Sequence, residues 1–496
     1  MNMKKRYLVA FFILAMVLGG VVSYVGMEMV QSDNGQALDQ DNVLDDSSQA
    51  SVGAILDGVN QGKADELMKV TKAYNLIQEK YVTEVESNQL VEGAIQGMLA
   101  TLDDPYSTYM DQETMEQFNN TISSSFEGIG TEVSMRDGNV TIVSPFKGSP
   151  AEEAGLKPND QILSVDGESI DGLDLYEAVL KIRGEKGTTV TLEIKRPGVE
   201  EALTVDVKRD TIPIETVYSD VQMVDGQKAG IIEITSFSEN TAADFEQQLE
   251  KLEKQNIEGL VIDVRGNPGG LFPAAQDILS LLITKDTPYV QIEDSNGEKE
   301  RYFSNLSKPK SYPITVLIDE GSASASEILA GAMHEAGGYE LIGTKTFGKG
   351  TVQQAIPMGD GSNLKLTIFK WLTPEGNWIH EKGIEPTKEV KLPDYYYTNP
   401  IQIDKPLTYD QTDDKIANLQ TMLEGLGYDP GRTDGYYSKQ TEAAVKQLQQ
   451  DNDLPVTGEV DKETGKNIQE AIIDKVRNKE DDTQMKKALE VLFESE

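Results

Sequence analysis

The stretch Leu260-Val-Ile-Asp-Val-Arg-Gly-Asn-Pro-Gly-Gly-Leu-Phe-Pro-Ala-Ala-Gln-Asp-Ile-Leu-Ser-Leu-Leu282 decides the fold. Leu260–Val264 is a short, nearly continuous apolar run, the pattern of a strand buried on both faces. Asn267-Pro268-Gly269-Gly270 makes a tight turn, and Pro273–Leu282 continues as a helix. Working outward, the unit repeats. Ala229–Ile234 reads as a strand followed by a helix at Ala242–Lys254, and Ile314–Ile318 as an apolar strand entering a helix near Ala323–Ala336. Strand and helix alternate from Lys228 to about Pro386, which predicts an α/β core with helices packed on a largely parallel sheet.

The flanking regions follow other rules, so the chain is multidomain. From Gly128 to about Asp210, short alternating strands (Thr131–Met135, Val140–Val143, Gln161–Val165, Val190–Lys195, Leu203–Lys208) and one helix, Asp174–Ile182, form a β-rich unit assigned to 121–210. Ahead of it, Leu67, Val70, Tyr74, Ile77 and Tyr81 recur at helical steps, and a second helix fits Leu90–Leu102; residues 63–120 are an N-terminal helical segment. Behind the core (211–390) come a Tyr- and Pro-containing linker (391–411), a small all-α unit (412–473) and an acidic helical tail (474–496). Lys4, Lys5 and Arg6 precede the apolar run Tyr7–Val25, and Glu28 and Asp33 follow it. That arrangement predicts a signal-anchor, with a cleaved signal peptide as the rival, over 1–27. Either way the remainder is exported, and the polar stretch 28–62 is a flexible tether.

With 45 Lys+Arg against 84 Asp+Glu in 496 residues, the net charge of −39 repels a phosphate backbone and excludes a general nucleic-acid binder. The absence of Cys excludes a thiol nucleophile, a Cys-ligated zinc and a disulfide framework. Only His334 and His380 are present, and neither begins an H-E-x-x-H metal motif, so no metal and no other cofactor is expected.

The segment Asp319-Glu-Gly-Ser-Ala-Ser-Ala-Ser-Glu327 sits where a strand turns into a helix. Ser324 and Glu327 satisfy a capping box, and the same helix start offers free N–H groups to a developing oxyanion. The two readings coexist. A nucleophilic serine needs a base. His334 lies ten residues on along the same helix, about 15 Å away; distance does not exclude His380, but no second feature recommends it. Lys349, in Thr346-Phe-Gly-Lys-Gly-Thr351, is the alternative: flanking glycines permit close approach, and a desolvated amine becomes neutral enough to take a serine proton. An ordinary solvated turn lysine is the competing reading, while a phosphate loop is excluded by spacing.

Taken together, Gly321-Ser-Ala-Ser-Ala-Ser-Glu-Ile328, Thr346-Phe-Gly-Lys-Gly-Thr-Val-Gln353, Asp263-Val-Arg-Gly-Asn-Pro-Gly-Gly-Leu271 and Gly97-Met-Leu-Ala-Thr-Leu-Asp-Asp-Pro-Tyr-Ser107 resemble the C-terminal processing peptidases. The resemblance runs from about Leu67 to Pro386. It implies a ClpP/crotonase-like α/β serine peptidase core with an inserted β-rich PDZ domain. It also implies Ser324 as nucleophile, Lys349 as base and Gln353 orienting the lysine amine. The oxyanion hole would use the amide of Ala325 and that of Gly270 or Gly269. Where family members often carry Asp, this chain has Glu335, whose part stays open.

Phe126-Glu-Gly-Ile-Gly130, Gly148-Ser-Pro-Ala-Glu-Glu-Ala-Gly155 and Asp160-Gln-Ile-Leu-Ser-Val-Asp-Gly167 resemble a PDZ domain, which takes a C-terminal tail as an added strand. Gly128, Ile129 and Gly130 would cradle the tail's carboxylate, and Arg183 would relay docking to the catalytic residues. Ile416-Ala-Asn-Leu-Gln-Thr-Met-Leu-Glu-Gly-Leu-Gly-Tyr428, Asp434-Gly-Tyr436 and Thr441-Glu-Ala-Ala-Val-Lys-Gln-Leu-Gln449 resemble the small peptidoglycan-binding domain. Leu419, Leu423, Ala444, Val445 and Leu448 would form its core, and Tyr428, Tyr436 and Tyr437 are candidate glycan contacts. The closing helix, paired with the opening helices, is a candidate for building a homodimer. The expectation is a membrane-tethered or secreted, wall-associated serine endopeptidase that selects proteins by their tails. The alternative is a non-catalytic PDZ and peptidoglycan-binding scaffold.

Overall fold

The computed structural model describes residues 61–494, apart from Asp137, Asp174 and Glu200. The expected anchor or signal segment 1–27, and nearly all of the tether, lie outside the described residues. Among the described residues no helix is long and apolar enough to cross a membrane.

The core sheet has six strands, in the order Val217–Val224, Gln227–Ile234, Gly259–Asp263, Ile314–Ile318, Glu340–Gly343 and Lys388–Glu389. The first pair is antiparallel and the other four pairings are parallel. Every residue of Gly259–Asp263 and Ile314–Ile318 is buried, as a parallel strand covered on both faces requires. On one face Phe245, Leu249, Ile278, Leu279, Ile328 and Leu329, from the helices Thr241–Lys254, Phe272–Leu282 and Ala325–Glu335, pack on Ile232, Ile262 and Val316. On the other face lies the helix Thr483–Phe493. Its Ala488, Leu489 and Leu492 pack on Ile231, Val261, Leu317 and Ile342. The closing helix therefore spends its apolar face on its own core and not on the opening helices with which the sequence reading pairs it. Its apolar stripe covers the sheet face opposite the three helices.

A second, five-stranded antiparallel sheet stands beside the first. The long strand Asn363–Leu372 pairs with Thr351–Pro357, Val290–Glu293 and the N-terminal Thr108–Met110. Thus the N-terminal segment is stitched directly to the strand behind Lys349. In the β-rich unit the strands run in the order Thr131–Arg136, Asn139–Pro145, Gln161–Val165, Thr189–Lys195, Leu203–Lys208, packed with helix Leu175–Ile182 around Ile142, Leu192, Ile194 and Val207. Its two ends are tied together where Ser125–Gly128 pairs with Asp210–Pro213.

Residues 391–411 are not a free linker. Tyr395, Ile401, Ile403 and Leu407 are buried in one core with Leu419, Leu423, Tyr437, Val445, Leu448 and Ile468, and Leu407 bridges Val460. These isolated apolar residues have no regular period, so composition disguised a packed strap as a linker. Tyr437 is fully buried and donates its hydroxyl to the Gly458 carbonyl, which removes it as a glycan contact. Tyr436 remains partly exposed and donates to Asp410. From this module the chain returns to the core at Asp482. The Arg265 guanidinium donates there to both oxygens of Asp482, to Asp263 and to Gln484. Burial opposes its charge, yet the two carboxyl groups hold its pKa above the usual value.

Candidate active site

Three serines crowd the turn between strand Ile314–Ile318 and helix Ala325–Glu335, and the fold treats them differently. Ser322 is fully buried; its Oγ donates to the Val264 carbonyl at 2.8 Å and accepts Asp319 N–H at 3.0 Å. Ser326 is fully buried and donates to the Asn267 carbonyl at 2.9 Å. Ser324 alone is partly exposed. Its backbone has φ 54° and ψ −111°, a conformation that costs a non-glycine residue on the order of 1–3 kcal/mol and persists only where its surroundings dictate it. A sharp strand-to-helix turn of this kind lifts one side chain away from the sheet.

Glu327 supplies much of that dictation. Its side chain is fully buried, and four donors converge on it. Ser324 N–H and Lys349 N–H reach Oε2 at 2.9 and 2.8 Å, while Gly348 N–H and the Thr346 hydroxyl reach Oε1 at 2.7 and 2.6 Å. One oxygen atom thus holds the backbones of the serine and the lysine together. From the sequence, Glu327 was visible only as the partner in a capping box; its reach to residues 346–349 depends on tertiary folding.

Lys349 is half-buried. Burial pushes its amine below the ordinary lysine value of 10.5, and Lys365 adds to the effect; Asp104 and Glu327 pull the other way. Its Nζ lies 4.9 Å from the centroid of the Tyr106 ring. The Trp371 and Trp378 indoles hold the neighbouring carbonyls, donating to Lys349 O at 2.7 Å and Gly350 O at 2.8 Å. Gln353 follows a bulge in its strand, and its Nε2 donates to Thr351 and Thr367 hydroxyls, each at 3.0 Å. Its described hydrogen bonds do not include the lysine amine.

The Asn-Pro-Gly-Gly turn is pinned against the serine. Ala323 N–H donates to the Asn267 carbonyl at 3.0 Å, and buried Asn267 donates Nδ2 to Ile234 O at 2.8 Å. Gly269 has φ 100°, and a Cβ there would meet Ser324 Cβ at 2.9 Å and Ala325 N at 3.0 Å. Only glycine permits that approach. Gly269 N–H is already donated to Asn267 Oδ1 at 2.8 Å. Gly270 turns against Phe237, whose carbonyl accepts Leu271 N–H at 2.6 Å.

The remaining expected residues fall in several places. Gly128, Ile129 and Gly130 are buried at the start of the β-rich unit, with Ile129 O accepting Ala151 N–H and Gly130 O accepting Phe146 N–H. Arg183 stacks over Phe126, 4.8 Å from its centroid, beside Gly128. Glu335, at the far end of the serine-bearing helix, accepts Glu375 N–H at 2.8 Å and Asn377 Nδ2 at 3.3 Å, which fixes a turn. His334 is exposed. His380 lies against Trp378 and Tyr106.

This geometry belongs to a family. Residues 228–390 match Peptidase family S41, 128–207 a PDZ domain, 412–466 a putative peptidoglycan binding domain, and 16–114 the N-terminal domain of the activating protease CtpB. The chain is 51% identical over 480 residues to the carboxy-terminal processing protease CtpB of Bacillus subtilis, covering 97% of each. It is 45% identical to CtpA of the same organism, over 86% of this chain and 90% of that one. A probable CtpA-like serine protease of Staphylococcus epidermidis is 36% identical over 85% of each. The fold and site thus define a serine-type peptidase with a PDZ domain. More particularly, the chain belongs to the carboxy-terminal processing proteases of family S41, and its peptidoglycan-binding domain is consistent with a position at the cell wall.

Proposed function

We propose that Ser324 and Lys349 form the catalytic dyad of this protease. The observation that carries the reading is selective presentation: of three neighbouring serines, two are buried with bonded hydroxyls, and the third is strained outward on a backbone that Glu327 ties to that of Lys349, whose pKa is lowered. Neutral Lys349 Nζ takes the Ser324 proton as Oγ bonds to the scissile carbonyl carbon, and the carbonyl electron pair moves onto oxygen. The amides of Ala325 and Gly270 receive that oxyanion, since Gly269 N–H is occupied by Asn267. The ammonium then returns its proton to the leaving amine as the C–N bond breaks, and water resolves the acyl-enzyme by the reverse relay. Gln353 orients the amine once it releases Thr351 and Thr367.

Substrate proteins enter tail first. The strand Thr131–Arg136 stands at the edge of its sheet, next to helix Leu175–Ile182, and accepts an extended peptide. Gly128 to Gly130 take the carboxylate, and Arg183 links that cradle to Phe126 in the strand pair that ties the domain's two ends. Peptidoglycan binding by 412–473 keeps the enzyme at the wall, and Lys4–Arg6 ahead of Tyr7–Val25 favour a single-pass anchor with the catalytic part outside. Leu67, Val70, Ile77 and Tyr81 on the first helix are exposed in the single chain, which supports pairing of two copies there.

The test is cleavage of an unstructured substrate, with and without an apolar C-terminal tail, by the wild type, Ser324→Ala and Lys349→Ala. Loss in both variants, with faster wild-type cleavage of the tailed form, is expected. Equal inactivity of all three would favour the scaffold.

A further inference from the structure

We propose that Tyr106, brought in by the segment Asp103–Ser107, is a positioning residue for Lys349 whose ring covers the amine and shuts water away from it. The inference rests on the reading of Lys349 as the base. Tyr106 comes from the N-terminal helical segment, outside the residues matched as peptidase, yet the ring centroid is 4.9 Å from Nζ.

The segment is built to hold that ring. Asp104 accepts Tyr106 N–H at 3.0 Å and the Ser107 hydroxyl at 2.6 Å. Ser107 Oγ in turn accepts Thr367 N–H at 3.0 Å, from the strand that also supplies Lys365. The next residues, Thr108–Met110, run antiparallel to Lys365–Asn363. Behind the tyrosine stand His380, edge-on at 6.3 Å, and Trp378, stacked on His380 at 5.2 Å. Tyr106, Thr351, Thr367, Trp378 and His380 line one cleft of about 830 Å³. Thr367 also receives the Gln353 amide, so one strand position connects the covering loop to the residue proposed to orient the base.

The charged groups around the amine are Lys365 on the adjacent strand, Asp104 on the covering loop and Glu327 on the serine-bearing helix; Glu381 and His380 face the tyrosine from the far side. Lys365 opposes the ammonium, whereas Asp104 and Glu327 favour it, and desolvation is the largest influence. The ring face itself attracts the ammonium at this distance. Opening the cover gives up that attraction but returns water to the amine, and rehydration, as the larger effect in this proposal, raises its pKa toward the ordinary lysine value. Activity requires the neutral amine, so the acid limb of the kcat/KM profile must move to higher pH. A ring that merely packs would lower the rate at every pH and leave the limb in place.

The experiment compares full-length wild type, Tyr106→Phe and Tyr106→Ala, with Tyr106→Gln as a second opening variant. Two readouts are taken: the acid limb of kcat/KM, and the midpoint pH of Lys349 acetylation by acetic anhydride on a Ser324→Ala background, followed by peptide mass spectrometry. Both opening variants are expected to raise both midpoints by on the order of one pH unit, with Phe unchanged. Midpoints that stay at the wild-type pH in Ala and Gln overturn the proposal. Full activity of Lys349→Ala would instead overturn the base assignment, and the acetylation midpoint would still report on the cover.

Discussion

The two halves of the site are built in opposite ways. On the serine side nearly everything is fixed: Ser322 and Ser326 hold Val264 and Asn267, Ala323 holds Asn267, and Ser324 N–H is held by Glu327. On the lysine side only the backbone is fixed, through Glu327, Trp371 and Trp378. The amine lies under an aromatic ring, and Gln353 is engaged elsewhere. The contrast teaches that strain is stored where surroundings can support it, and adjustment is left to long side chains in and just before the strand Thr351–Pro357. Under the proposed dyad, a fixed serine and an adjustable lysine would let substrate docking complete the site.

The sharpest way to break this comparison is to remove one chemical group from each half. Ser324→Ala and Lys349→Arg should each lower kcat/KM by at least about three orders of magnitude, measured on a fluorogenic peptide. Arginine keeps the charge and much of the length but gives up no proton, so an active Lys349→Arg variant would show that charge, not basicity, is used. Next in size is the joint between the halves. Glu327→Ala strands four donors, each costing about 1–3 kcal/mol when left unsatisfied, and should cut stability by several kcal/mol in urea titration; a loss confined to activity would mean that water replaces the carboxyl group. Smaller is Gln353→Ala, expected to lower kcat about 10- to 100-fold with KM nearly unchanged. Thr367→Val, which frees the glutamine from one hydroxyl, should raise or preserve kcat; a matching fall in both variants would make the observed bonds the working ones. Smallest is the pH effect in the wild type. A lysine with a lowered pKa is neutral over a wider range, so activity should rise with pH and level off below the ordinary 10.5; an acid limb at that ordinary value would contradict it.

The parallel strands were legible because burial on both faces leaves continuous apolar runs such as Leu260–Val264 and Ile314–Ile318, and the turn that ends each run is written in Gly, Asn, Pro and Ser. The hairpin Thr351–Pro357 with Asn363–Leu372 was not read, since its half-exposed Lys, Gln and Thr residues leave no clean apolar face. The strap at 391–411 was hidden for the same kind of reason: single apolar anchors in a polar context. At the site, Ser324, Lys349 and the glycine turn were read as short motifs. The proposed choice of Gly270 over Gly269 rests on the Asn267 side chain, and the place of Tyr106 on a pairing across more than two hundred residues, which no local pattern records.

The helical module that matches a peptidoglycan binding domain is threaded into the peptidase rather than hung from it, because the chain re-enters at Asp482 and only then lays Thr483–Phe493 over the sheet. During synthesis the sheet's second face therefore stays bare until the whole module has been made, and Arg265, already paired with Asp263, waits equally long for its second carboxylate, Asp482. A polypeptide cut short anywhere in the module lacks the helix that covers this face, so core and module reach completion together.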